Sequence, residues 1–191
     1  MDEVMRDDIR KACEVMHKGG VILYPTDTIW GIGCDATKEE AVKRVYEIKK
    51  RADSKAMLVL VDNAVKVDFY VNQAPEVAFD LIELATKPLT IIYDAAKNLA
   101  PNLIAEDGSV GIRVTSETFS NQLCYRFRKA IVSTSANVSG EPSPATFEDI
   151  SEEIKGAVDY IVQSRQNERA VSKSSSIIKL GKGGQVKVIR E

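Results

Sequence analysis

Two hydroxyls flank a carboxylate in Thr26-Asp27-Thr28, at the head of a segment to Ala36 that carries Gly31, Gly33 and Asp35 around the lone Trp30. Such a loop can hold a small polar ligand, and it can equally be an Asx-turn leading into the next element. Farther on, Lys49, Lys50, Arg51 and Lys55 place four cations within seven positions. They suit a polyanion, although cations at a helix end also complement its dipole, at about 0.3–1 kcal/mol each. Arg51 offers bidentate geometry to phosphate or carboxylate, and Lys49 a movable point charge. A third segment, Ser133 to Ser143, directly follows an apolar strand and holds Ser133, Thr134, Ser135, Ser139, Ser143 and Asn137. Helix capping would use one or two of these groups; the rest suit phosphate or ribose oxygens.

Absences narrow the chemistry. There is no GxxxxGK[ST], which excludes a P-loop, and no GxGxxG, which argues against a dinucleotide fold. His17 is the sole histidine and sits beside Gly19-Gly20 at a helix end, as a surface or dipole-complementing residue. That leaves no basis for a Ser-His-Asp triad or a histidine zinc site. The chemistry that fits works by positioning and charge stabilisation.

These segments need elements to hold them. Met5, Ile9, Ala12, Cys13 and Met16 recur at helical spacing, and Gly19-Gly20 ends that helix. Val21–Tyr24 reads as a buried strand, 26–36 as a loop, Glu39–Lys50 as a helix and Met57–Val61 as a strand. Further helices are expected at Pro75–Ala85, Glu117–Arg128 and near Phe147–Lys155. Further strands are expected at Leu89–Tyr93, Ser109–Val114, Ala130–Thr134, Asp159–Val162, Ser176–Leu180 and Gln185–Ile189. The mixing of strands and helices favours an α/β sheet, with no repeat or linker, so residues 1–191 are expected to form one domain. Lys+Arg of 26 against Asp+Glu of 28 gives a net charge of -2, which argues against a protein that coats nucleic acid but leaves room for a local basic groove. Cys13, Cys34 and Cys124 lack CxxC spacing and read as reduced thiols. With no apolar leader and no run long enough for a membrane span, a soluble, cytoplasmic protein without membrane partners is expected.

At the same residues the chain resembles a known family. Tyr24-Pro25-Thr26-Asp27-Thr28-Ile29-Trp30-Gly31-Ile32-Gly33-Cys34-Asp35-Ala36 is similar to the opening signature of the YrdC-like threonylcarbamoyl-AMP synthases, single-domain type. Lys49-x-Arg51 resembles a second motif, and Ser135-Ala136-Asn137 with Val138-Ser139-Gly140 a third. Ser109–Arg113 and Ser174–Ile178 look like two weaker ones, all in family order, and the resemblance covers about Ile9 to Arg190.

The resemblance implies an open, twisted, mixed β-sheet with flanking helices around a concave, positively lined site. It implies a nucleotidyltransferase that uses L-threonine, bicarbonate and ATP with magnesium, and passes threonylcarbamoyl-AMP to a tRNA threonylcarbamoyltransferase system that makes t6A. By motif, Thr28 and Arg113 would hold threonine, with Ser133 and Ser175 completing its pocket. Arg51, Lys55, Ser109, Ser135, Ser143 and Arg190 would line the ATP site. Lys49 and Asn137 would serve both substrates, with Lys49 and Arg51 the catalytic pair and no protein metal ligand evident.

The chain departs from the pattern at Ala52 and Ala56 after the Lys-x-Arg motif, at Lys87 before Pro88, at Thr115, and at Leu60, where some members carry a threonine-contacting histidine. From its end near Arg190, it is expected to lack the extra C-terminal domain of longer members. Two other readings stand beside the synthase: a YrdC-like paralogue that does not make this product, and an RNA-binding module with weak affinity. The intact Lys-x-Arg and Ser-x-Asn motifs weigh against the first, and the net charge against the second.

Overall fold

The computed structural model describes residues 1–51, 57–169 and 173–191. The chain opens with α1 (Glu3–His17), where the Asp2 side chain accepts a hydrogen bond from the Met5 amide at 2.8 Å as N-cap. Its buried residues Asp8, Ile9, Ala12 and Met16 share one helical face. After Gly19, at a φ of +85°, come β1 (Ile22–Tyr24), β2 (Gly31–Gly33) and α2 (Glu39–Ile48). The strand β3 (Leu58–Val61) runs into a 3₁₀ turn, then α3 (Val67–Tyr70), α4 (Glu76–Leu84) and β4 (Leu89–Tyr93). A 3₁₀ turn at Pro101–Leu103 leads to β5 (Val110–Val114), α5 (Thr118–Phe127) and β6 (Ile131–Ser135). The chain closes with α6 (Glu152–Ala157), β7 (Tyr160–Ile161), β8 (Ser176–Leu180) and β9 (Val186–Arg190).

The nine strands form one open mixed sheet in the order β7-β1-β2-β6-β3-β5-β4-β8-β9. β1 pairs parallel with β7, β3 with β5 and β4 with β8; the other neighbours are antiparallel. α1 packs on α5, β1 and β7, and α5 packs on β3, so both helices cover the sheet. The α/β expectation therefore holds, with six α-helices and a nine-stranded sheet among the described residues.

Two expectations are corrected. The segment 26–36 is not all loop, since Gly31–Gly33 forms β2 between β1 and β6. Its single side chain, Ile32, gives no alternating pattern to read, and the glycines are there because neighbours crowd them. The helix expected from Phe147 begins only at Glu152, capped by Ser151. Phe147 instead turns onto Trp30, with ring centroids 4.8 Å apart. Cys34 and Cys124 are buried and Cys13 half-buried, all as free thiols. No helix among the described residues is long and apolar enough to cross a membrane.

Gly33 shows how tight the sheet is at the head of the site. A Cβ there would lie 2.5 Å from Tyr24 Cε1 and 2.8 Å from the Val132 carbonyl oxygen. Gly33→Ala is expected to cost about 1–3 kcal/mol through overpacking, read as a lower urea midpoint at unchanged slope.

Candidate active site

The sheet brings the three polar segments to one cavity. Gly31 of β2 pairs with Ser135 of β6, Leu58 of β3 with Ser133 of β6, and Thr90 of β4 with Arg113 of β5. Alternation along β6 puts the Ser133 and Ser135 side chains on one face and Val132 on the other. Leu89 of β4 pairs with Ser176 of β8, which sets Ser175 beside Thr90. The result is a cavity of about 270 Å³ whose lining includes Thr28, Arg51, Arg113, Ser133, Ser135, Ser143, Ser175 and Arg190. Eight of the residues expected at the site thus line one cavity, drawn from segments as far apart as residues 28 and 190.

Its core is a buried ion pair. Arg113 is 3% exposed and Asp27 9% exposed, with Arg113 Nη2 3.0 Å from Asp27 Oδ1. Nε donates to both Asp27 oxygens at 3.0 and 3.1 Å. The rest of the guanidinium meets hydroxyls only at long range: Nη2 to Thr28 at 3.3 Å, Nη1 to Thr90 at 3.3 Å and Nη1 to Ser175 at 3.4 Å. Burial pushes the Asp27 carboxyl up from its usual range, and Arg113 pulls it partly back. The carboxylate loop is stiffened from within, because Thr26 Oγ1 accepts the Thr28 amide at 3.0 Å and donates to the Ile29 carbonyl at 2.7 Å.

Arg190 at the end of β9 closes the far wall. Its Nε donates to the Ser175 carbonyl at 2.9 Å, and Ser175 Oγ lies 2.8 Å from Thr90 Oγ1. Burial lowers the Arg51 pKa from its ordinary value.

Lys49 is placed differently from the movable charge expected of it. It is 1% exposed, and its Nζ donates to the Ser135 carbonyl at 2.6 Å and the Asn137 carbonyl at 2.7 Å. Its ammonium therefore pins the turn after β6 instead of facing the cavity. Burial, and then repulsion from Arg51, lowers its pKa to about 8. Asn137 donates to the Val138 and Glu141 carbonyls, while its Oδ1 is buried without a partner.

Ser109 stands outside the main cavity. Its Oγ donates to Asp107 Oδ1 at 2.5 Å, and it lines an adjoining pocket of about 180 Å³ that shares Met57, Leu58 and Ile177 with the main one. Lys55, Ala52 and Ala56 lie outside the described residues. Leu60 is fully buried beside Arg113, and the Thr115 hydroxyl pairs with Ser120 at 2.8 Å.

Sequence reasoning gave Asp27 a general ligand-holding role in its loop but did not pair it with Arg113, and it gave Thr90 no role. Asp27 was visible as the acid between two threonines. Thr90 was the one aliphatic hydroxyl in the run Leu89–Tyr93, and it is buried.

Comparison with known proteins places this arrangement. The profile of the Sua5/YciO/YrdC family, described as "Telomere recombination", matches residues 14–191. The threonylcarbamoyl-AMP synthase of Pseudoalteromonas translucida is 31% identical over 157 residues, covering 81% of this chain and 84% of that protein. The structure of P. abyssi Sua5 complexed with L-threonine superposes with a TM-score of 0.80 at 25% identity, covering 90% of this chain. This chain spans 50% of that Sua5 chain. The structure of E. coli YciO superposes at a TM-score of 0.83 and 25% identity, over 98% of this chain and 89% of that one.

The Arg113–Asp27 pair sets a stability prediction. Arg113→Met leaves a buried carboxylate unpaired, which is expected to destabilise the fold by about 3–5 kcal/mol at neutral pH. Because the Asp27 pKa is already raised and rises further without its partner, protonation relieves the variant as pH falls. Urea unfolding at several pH values should show the gap to wild type narrowing on the acid side.

Proposed function

The chain belongs to the Sua5/YciO/YrdC family, and on that footing we propose that it is an L-threonylcarbamoyladenylate synthase. It would convert L-threonine, bicarbonate and ATP to threonylcarbamoyl-AMP and diphosphate, as a cytoplasmic nucleotidyltransferase acting at the first step of t6A formation. The observation that carries this reading is the convergence of Arg51, Arg113 and Arg190 with seven hydroxyl residues on one cavity. The names of the curated relatives support it.

In this reading the threonine ammonium gives up a proton, and the resulting amine condenses with bicarbonate, releasing water and giving an N-carboxy-threonine. One of its new carboxylate oxygens bonds to the α-phosphorus of ATP as the bond to diphosphate breaks. The obstacle is the approach of an anion to a polyanion. Arg51 and Arg190, with Lys55 four positions after Arg51 in the sequence, offset that repulsion and steady the leaving diphosphate. Arg113 takes the threonine carboxylate by exchanging its long bonds to Thr28, Thr90 and Ser175, while Asp27 keeps the guanidinium aimed. Ser133 and Thr28 read the threonine hydroxyl, and Ser135, Ser143 and Ser109 serve phosphate, ribose or base. Lys49 and Asn137 act by holding the turn after β6, Lys49 through the Ser135 and Asn137 carbonyls and Asn137 through those of Val138 and Glu141. Positioning two reactants in line supplies much of such catalysis.

Among the described residues no three His, Cys, Asp or Glu come together as a metal site. The hydroxyls and arginines would suit a magnesium–triphosphate complex in which the triphosphate supplies most of the ion's coordination. Bound this way, magnesium would neutralise triphosphate charge. The product would pass to the tRNA threonylcarbamoyltransferase system.

The direct test is pyrophosphate release from ATP, which should require both threonine and bicarbonate; release without either, or none at all, sinks the reading. Arg51→Ala is expected to lose at least about tenfold in turnover, since a charged clamp carries more than about 1.4 kcal/mol. The rate should also fall at high pH. As pH rises through about 8, Lys49 loses its charge and the turn it pins loses a donor, so kcat/KM for ATP should drop with a midpoint there. The folded pKa lies below the ordinary lysine value, so the unfolded chain holds the extra proton between about 8 and 10.5. The contribution of Lys49 to stability therefore increases over that window. Activity falling while its unfolding midpoint does not would identify this group.

A further inference from the structure

The loop that carries Thr28 is gripped from both sides, and only the inner grip belongs to the cavity described above. On the outer side lies Arg165, whose Nη1 donates to the Thr26 carbonyl at 3.1 Å and stands 3.2 Å from Glu117 Oε1. Its Nε donates to Glu168 Oε1 at 2.8 Å. A second cavity of about 490 Å³ opens here, lined by Thr26, Asp27, Glu117 and Arg165 among others. Thr26–Thr28 is therefore a wall one loop thick. Thr28 lines the first cavity while Thr26 and Asp27 line the second, so the loop separates the two.

Arg165 is built to hold that loop. Its backbone is left-handed, at a φ of 67°, which a residue with a Cβ adopts only where its surroundings enforce it. The enforcement comes from α1: buried Asp8 accepts the Gln163 amide at 3.0 Å, the Ser164 amide at 2.7 Å and the Ser164 hydroxyl at 2.6 Å. The turn before Arg165 is thereby fixed to the core. The partner Glu117 is equally fixed, because it caps α5 by accepting the Phe119 and Ser120 amides at 2.8 Å each. A guanidinium held between two anchored elements presses one N–H on the Thr26 carbonyl, two residues from Thr28 and adjacent to Asp27.

We propose that Arg165 is a positioning residue that holds the Thr26–Thr28 loop against Arg113, and so sets the affinity for the small amino-acid substrate without touching it. The substrate part rests on the synthase reading above; the loop-holding part does not. Binding of ATP, whose predicted contacts lie toward Arg51, Ser143 and Arg190, is independent of this grip.

The test uses the full chain with Arg165→Gly and Arg165→Lys. Glycine removes the side chain while relieving the left-handed backbone, so the turn itself is not broken; lysine keeps a cation for the Thr26 carbonyl. Steady-state pyrophosphate release and hydrogen exchange of the amides at residues 26–29 are measured for each. Arg165→Gly is expected to raise KM for threonine about tenfold, with KM for ATP and kcat within about twofold, and to speed exchange at 26–29. Arg165→Lys should recover at least about threefold of the KM change. An unchanged threonine KM, an equal rise in ATP KM, or unaltered exchange in Arg165→Gly overturns the proposal. If wild type shows no threonine-dependent release, the synthase reading fails, and exchange at 26–29 alone decides whether Arg165 holds the loop.

Discussion

Arg113 and Asp27 meet where water is nearly absent, and that single contact organises the site around it. Burying either charge alone costs several kcal/mol, and a close pair recovers this only when the remaining donors and oxygens find partners. The chain satisfies the condition with strands from across the sheet: β5 brings Arg113, β4 brings Thr90, the lead into β8 brings Ser175, and the loop after β1 brings Asp27 and Thr28. The pair is strong toward the carboxylate and slack toward the hydroxyls. This asymmetry leaves a pre-aimed cation with replaceable partners, the arrangement a site for a small carboxylate requires.

A second buried charge performs a separate task. Lys49, at the end of α2, spans to the turn after β6 and draws the Ser135 and Asn137 carbonyls together. The Ser139 amide returns the contact by donating to the Lys49 carbonyl at 2.8 Å. Helix end and hydroxyl-rich turn are thus tied in both directions, which fixes Arg51, two residues on, relative to Ser135 and Ser143. Lys49 thus sets geometry, whereas Arg51 and Arg190 line the cavity. Arg fits that outward role through its planar fork, while Lys fits the inward one through a compact ammonium with three donors.

Loop rigidity in this molecule is bought with backbone hydrogen bonds to charged side chains. Asp8 fixes 163–164, Glu117 fixes the start of α5, and both converge on Arg165 and the Thr26 carbonyl. Such charge-assisted bonds are roughly twice as strong as neutral ones, and they act on a loop that separates two cavities.

The amino-acid sequence by itself determined the element types, because hydrophobic periodicity is local: α1, α5 and β4 are readable from spacing alone. It also made Thr28, Arg51, Arg113, Ser135 and Ser175 candidates through their resemblance to short family motifs, whose order is visible along the chain. Only the tertiary structure decided strand order, the existence of β2 and the side on which each charge lies. Gly31-Ile32-Gly33 becomes a strand because β1 and β6 both have unpaired edges beside it, a non-local demand that three residues cannot announce. Lys49 and Arg51 are two positions apart and look alike in sequence, yet one is sealed onto carbonyls and the other lines the cavity. That difference arises from the direction in which α2 meets β6, and no property of the segment 49–51 encodes it.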